Sequence, residues 1–244
     1  MKLLVYGIVR SGSPVWNALL TGVEGEDVSF VPTEDLAAGF SIHADMCTTP
    51  TMEMVMAYAR VVASLHEVCA VIPMRYGCFL DSEAQILEVL KKRGPGFRAT
   101  LDKLDGCVEV GLRVWLHGTK GSSAKRPRLP ADRFGPPAAA LSGTAYLAHR
   151  KAYYGEKDSG LEEVSATIEG IRQALDGILM DWKAERPSAS DGRMLSLCLL
   201  IRREELGLVR SSIVRLQEES PNKVLVTGPW PPYNFVSLTA EDAE

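Results

Sequence analysis

Apolar and polar positions alternate with a period of two over residues 107–116. Val108, Val110, Leu112, Val114 and Leu116 fall on one side, and Glu109, Gly111 and Arg113 on the other. That pattern predicts a strand with one buried face. Residues 3–9 and 28–42 read as further half-buried strands, with Pro32 starting a bend in the second, and residues 68–74 form an apolar run closed by Arg75-Tyr76-Gly77. Between these stretches the spacing lengthens to three and four. Thr49-Pro50 opens a helix to about His66, with Val55, Tyr58, Val61, Val62 and Leu65 on one stripe. The Met46, Met52, Met54 and Met56 group at its start is expected to fill core, with an adaptable partner surface as the alternative. Asp81 or Ser82 caps a second helix carrying Ile86, Leu87, Val89 and Leu90. It is expected to stop at Gly94-Pro95-Gly96, followed by a short helical piece through Phe97, Leu101 and Leu104.

The pattern changes at Asp105-Gly106, which divides the chain into an N-terminal α+β domain over 1–105 and a second domain over 106–244. In the second, a helical region is expected from Ser142 to about Trp182, with breaks at Gly155 and Gly160. Leu161, Val164, Ile168, Ile171, Leu175, Ile178 and Trp182 share one stripe of it. The stripe is expected to lie across the sheet of its own domain, the alternative being self-association or contact with another chain. A strand over 194–201, an amphipathic helix through Leu206, Val209, Ile213 and Leu216, a strand over 223–227 and a last short strand over 233–238 complete the order. This succession suits a ferredoxin-like sandwich, so the predicted fold class is α+β, in two domains. Residues 118–141 are rich in Gly, Ser, Pro and Ala, with Lys120, Lys125, Arg126, Arg128 and Arg133 against Asp132 alone. They read as a flexible basic loop, either a solvated excursion or an arm for an acidic partner.

Composition narrows the function. With 244 residues, 46% of them hydrophobic and 24% charged, the chain is long enough and apolar enough to bury a full core. A net charge of -4 gives no general attraction for nucleic acid or anionic lipid. No stretch approaches the ~20 apolar residues that span a bilayer, and the N-terminus lacks a cleavage site, so a cytoplasmic protein is expected. The five cysteines are scattered, without a CxxC pair, and read as reduced packing residues; the four histidines lack metal-ligand spacing. There is no GxSxG, no recognisable cysteine nucleophile with its base and no GxGxxG. The acidic pairs Glu162-Glu163, Glu204-Glu205 and Glu218-Glu219 read as solvated helix faces. No catalytic, cofactor-binding or metal residue is assigned, and no enzyme activity is expected.

Two segments stand above this background. Ile72-Pro73-Met74-Arg75-Tyr76-Gly77 sets a guanidinium beside an aromatic at the end of an apolar run, where Arg can hold carbonyls or a carboxylate; a tie between segments is the default. Residues 228–236, GPWPPYNFV, contain three prolines that fix φ and remove three backbone donors. The turn is stiff and holds Trp230, Tyr233 and Phe235 in a set relation, either to lock its own domain or to present a docking surface.

Together with YGIV (6–9), VIPMRYGCF (71–79), EVGLRV (109–114) and SGTAYL (142–147), in this order, the GPWPPYNFV block resembles the gas vesicle protein F/L (GvpF/GvpL) family over nearly the whole chain. The resemblance implies two α+β domains, the second a modified ferredoxin-like fold with an inserted variable loop. It implies a minor structural or assembly protein of the gas vesicle, without catalytic residues, that contacts the shell protein GvpA and other accessory gas vesicle proteins. A rim of methionines and aromatics could then shield apolar GvpA surface before it polymerises. Arg75, Tyr76, Trp230, Tyr233 and Phe235 are the candidate protein-contact or structural residues. The competing readings are a small-ligand-sensing or enzymatic ferredoxin-like domain and a nucleic-acid binder acting through residues 120–133.

Overall fold

The computed structural model describes residues 1–17, 19–44, 50–117, 162–185 and 194–236. The expectations for the basic loop, for residues 142–161 and for Met46 and Cys47 lie outside those residues. The fold is mixed α+β, built on two antiparallel sheets.

The first sheet is centred on β1 (Lys2–Arg10). β3 (Leu36–His43) pairs on one side of it and β4 (Ile72–Pro73) and β5 (Phe79–Leu80) on the other; β2 (Ser29–Pro32) extends the order to β2-β3-β1-β4. Two helices sandwich the sheet. α1 (Met52–Val68) packs Tyr58, Val61, Val62 and Leu65 on Leu4, Tyr6 and Val9, while α2 (Glu83–Leu104) packs Ile86, Leu90, Phe97 and Leu101 on Leu3, Val5 and Ile8. A register shift between Val5 and Gly7 swaps the faces midway along β1. Because both faces meet a helix, β1 is buried along its length rather than half-buried.

Thr51 caps α1, its side chain accepting the Met54 N–H at 3.3 Å. Met52 and Met56 are exposed, against the expectation that they fill core. They stand one turn apart, off the stripe that runs through Met54, Tyr58, Val61 and Leu65. Ser82 caps α2, accepting from Gln85 N–H. α2 does not stop at Gly94-Pro95-Gly96 but runs through to Leu104 with Pro95 inside. A proline there removes one helix bond, at about 3 kcal/mol, yet Leu90, Phe97 and Leu101 stay on one buried stripe only if the helix continues.

The second sheet has the order β7-β8-β6-β9, from β6 (Cys107–Trp115), β7 (Leu179–Glu185), β8 (Met194–Arg202) and β9 (Lys223–Trp230). α3 (residues 162–174) lies between β6 and β7 in sequence, and α4 (Leu206–Glu219) between β8 and β9. Both helices cover the same face, joining Val164, Ile171, Val209 and Ile213 to the alternating residues of β6 and β8. The α3 stripe is thereby spent on its own sheet, which removes it as a surface for self-association. It also ends sooner than the spacing predicts: Gly177 takes φ +77° in the turn after α3, and the chain re-enters the sheet as β7. Trp182 is a strand residue opposite Leu199, in the same core that a longer helix would have reached. The strand expected over 233–238 is, in its described residues, a 3-10 turn at Tyr233–Phe235, and residues 237–238 lie outside them.

Candidate functional site

The two sequence segments that stood out converge on Tyr58. In the sequence this residue is only one member of a helical stripe. Its Oη lies 2.9 Å from the carbonyl oxygens of both Val5 and Met74, at the register shift where β1 passes from β5 to β4. Tyr6 stacks on it with ring centroids 4.9 Å apart, and Tyr76 meets it edge-on at 5.4 Å. Tyr233, from the proline-rich turn, packs into the same cluster. Burial raises the Tyr58 phenol pKa, with Tyr233, Cys78 and Tyr6 adding to it, and burial alone pushes Tyr233 up to about 12. These phenols are uncharged packing and hydrogen-bonding groups at neutral pH.

The same turn is clamped to the second sheet by Glu109, on the side of β6 that sequence reasoning assigned to the polar face. The residue is 6% exposed, and its carboxylate accepts the Asn234 backbone N–H at 2.9 Å and the Asn234 Nδ2–H at 2.7 Å. Two charge-assisted bonds compensate the buried charge. Asn234 Nδ2 also lies 3.3 Å from Cys198 Sγ, whose thiol is pushed up to about 11 by burial first and then by the Glu109 charge. Gly228 is needed where β9 bends: its φ is +106°, and a Cβ would stand 2.9 Å from the Glu109 carbonyl oxygen.

From this anchor the turn reaches both sheets. Phe235 is buried among Leu104, Cys107 and Leu200, with Lys183 Nζ 5.8 Å from its ring centroid, and Val236 touches the α2 core. Lys103 of α2 pairs with Asp181 of β7 at 2.6 Å, and Arg203 donates to the His66 carbonyl at 2.8 Å. Of the five candidate residues, then, Tyr76 and Tyr233 come together at Tyr58, Phe235 fills the junction between the sheets, and Arg75 and Trp230 remain exposed.

Two of the four histidines are buried, which their spacing in the sequence does not reveal. His66 sits at the same junction, and neither ring nitrogen has a hydrogen-bond partner among the described residues. Burial and the nearby Arg203 charge lower its pKa to about 4, so it is neutral. In the first sheet, Ser41 Oγ lies 2.8 Å from His43 Nε2, and His43 Nδ1 lies 3.1 Å from Glu24 Oε2. This is the hydrogen-bond order of nucleophile, base and orienting acid. Ser41 is fully buried, however, and its hydroxyl also meets Tyr6 Oη at 2.8 Å. The chain of bonds ties the loop at Glu24 to the sheet and offers no substrate access. Among the described residues no three His, Cys, Asp or Glu side chains form a metal-binding group, and no helix is long and apolar enough to cross a membrane.

The fold and this junction define a mixed α+β protein of two antiparallel sheets held together by a stiff C-terminal aromatic turn. The family model described as "Gas vesicle synthesis protein GvpL/GvpF" matches residues 2–237. Gas vesicle protein F of Streptomyces sp. (strain CB03234) is 30% identical over 246 aligned positions, covering 97% of this chain and 100% of that protein. Gas vesicle protein L of the same strain is 24% identical over 197 positions, covering 76% of this chain and 70% of that one. The crystal structure of GvpF from Anabaena sp. PCC7120 superposes with a TM-score of 0.76 at 15% identity, covering 98% of this chain and 99% of that one. GvpF from Microcystis aeruginosa gives 0.76 at 16% identity, with 97% and 99% covered. The chain belongs to the GvpL/GvpF family of gas vesicle synthesis proteins.

Proposed function

We propose that this protein is a minor structural or assembly protein of gas vesicle formation. It works in the cytoplasm and at the gas vesicle by binding the shell protein GvpA and other accessory gas vesicle proteins. The observation that carries the reading is the family match over residues 2–237, which spans both sheets and the aromatic turn between them. The role is binding rather than catalysis. Residues 1–105 and 106–244 act as two domains. The second is a modified ferredoxin-like fold, supported by the β-α-β-β-α-β succession of β6, α3, β7, β8, α4 and β9 and the order β7-β8-β6-β9. Tyr76, Tyr233 and Phe235 hold the two together, while Trp230 and Arg75 are available to partners.

The test is capture of purified GvpA and the other accessory gas vesicle proteins by the full chain and by a version lacking residues 118–141. Retention by both places the contact outside residues 118–141, and loss with the deletion moves it to the basic segment. Capture of none by either version overturns the reading in favour of the small-ligand alternative.

A further inference from the structure

Both helices of the second sheet lie on one face, and among the described residues the other face is covered by the aromatic turn and α2, at the Cys107 and Leu200 end. Along β6 and β9 the remainder is a stripe. Register sets Arg113 opposite Leu225, Trp115 opposite Lys223 and Glu109 opposite Trp230, while Val224 and Val226 turn into the core. Trp115, Leu225 and Trp230 are 44%, 47% and 52% exposed. An eight-residue strand makes the stripe roughly 25 Å long.

Its charge is one-sided. Arg113 and Lys223 are exposed and have no ion pair among the described residues, whereas the acid of the stripe, Glu109, is buried and already taken by Asn234. Exposed tryptophans beside an unpaired arginine have the composition of binding hot spots. A planar guanidinium suits a carboxylate.

The free edge of β9 is closed to strand addition at two carbonyls. Gln217 Nε2 donates to the Val224 carbonyl at 3.0 Å and Arg210 Nη2 to the Gly228 carbonyl at 3.3 Å. The face, rather than the edge, is what a partner can use. A second copy fits poorly, because a two-fold contact would bring two copies of the same cationic patch together.

We propose that the β6–β9 stripe of Arg113, Trp115, Lys223, Leu225 and Trp230 is a docking surface for an apolar segment bearing carboxylates on a partner protein. The inference rests on the reading that this chain binds other gas vesicle proteins, and names the surface that does so.

The experiment titrates the immobilised full chain with purified GvpA and with each accessory gas vesicle protein, at low and moderate salt. It compares wild type with Arg113→Glu/Lys223→Glu, Trp115→Ser/Leu225→Ser and, as a control charge reversal on the exposed side of α2, Lys91→Glu/Lys92→Glu. Each variant's melting curve and oligomeric state are measured alongside. The charge reversal, at two exposed positions, keeps the test open if the apolar pair fails to fold. The expected result is a salt-sensitive affinity that drops about tenfold or more in the folded stripe variants and is unchanged in the control. Equal binding by wild type and folded stripe variants overturns the stripe and leaves the proposed function standing. Binding by no variant, wild type included, overturns both. A wild-type dimer that becomes monomeric on charge reversal, with partner binding unchanged, assigns the face to a second copy and overturns the inference.

Discussion

The first sheet has a helix on each face, and its central strand is buried from Leu3 to Val9. The second has both helices on one face, and its other face is partly closed by a nine-residue turn at one end and exposes Trp115 and Leu225 at the other. The difference separates two uses of the same α+β material. One sheet is consumed by its own packing, and the other keeps Trp115, Leu225 and Trp230 about half exposed on one face. The turn at 228–236 belongs to both, since Glu109 fixes it to the second sheet while Tyr233 and Val236 reach the cores of the first.

The contrast breaks most severely at that shared turn. Phe235→Ala is expected to cost about 3–5 kcal/mol, because it empties a site enclosed by Leu104, Cys107 and Leu200. Calorimetry should then show the two sheets melting separately, and a single unshifted transition would refute the coupling. Tyr58→Phe keeps the ring but leaves the Val5 and Met74 carbonyls without their donor. Its expected loss is about 1–3 kcal/mol in urea unfolding, confined to the first sheet. Glu109→Gln is expected to cost about 1–2 kcal/mol, since one acceptor oxygen replaces the two that hold Asn234. It should also lower the Cys198 thiol pKa, raised by burial first and Glu109 second, so that thiol alkylation near pH 9 becomes faster.

The pH dependence is subtler. His66 titrates at about 4 in the folded protein and near 6.5 when unfolded, so between those values the unfolded chain binds more protons. Stability is expected to fall as pH drops from about 6.5 to about 4 and to gain no further loss from this group below that. His66→Leu should flatten that part of the urea-midpoint profile. The smallest effect belongs to Met52→Ser/Met56→Ser, expected to stay within about 0.5 kcal/mol because both side chains are already exposed. A large loss there would return the methionines to the core.

Much of the second sheet was legible in the chain. The alternation in residues 107–116 is β6, and the stripe through Leu206, Val209, Ile213 and Leu216 is α4. β7 was hidden because Ile178 and Trp182 continue the helical spacing of α3, and a side chain bound for one core satisfies either period over so short a span. The stop expected at Gly94-Pro95-Gly96 failed for the opposite reason: local chemistry favoured a break, and burial of Phe97 and Leu101 overrode it. Of the candidate residues, Tyr76 and Tyr233 carried a signal as aromatics in stiff, unusual segments. Tyr58 and Glu109 carried none, since a tyrosine on a helical stripe and a glutamate on an alternating strand look ordinary until their partners arrive from 16 to 125 residues away.

The sequence alone determined the mixture of helices and strands, the change of pattern at Asp105-Gly106 and the family, because periodicity and a long, compositionally unusual block are local properties of a chain. Tertiary structure decided which polar residues are buried, which aromatics are free and which sheet keeps an open face. Those outcomes depend on segments distant in sequence competing for the same surface. A carboxylate such as Glu109 can be held inside only where Asn234 supplies the hydrogen bonds that water would otherwise provide.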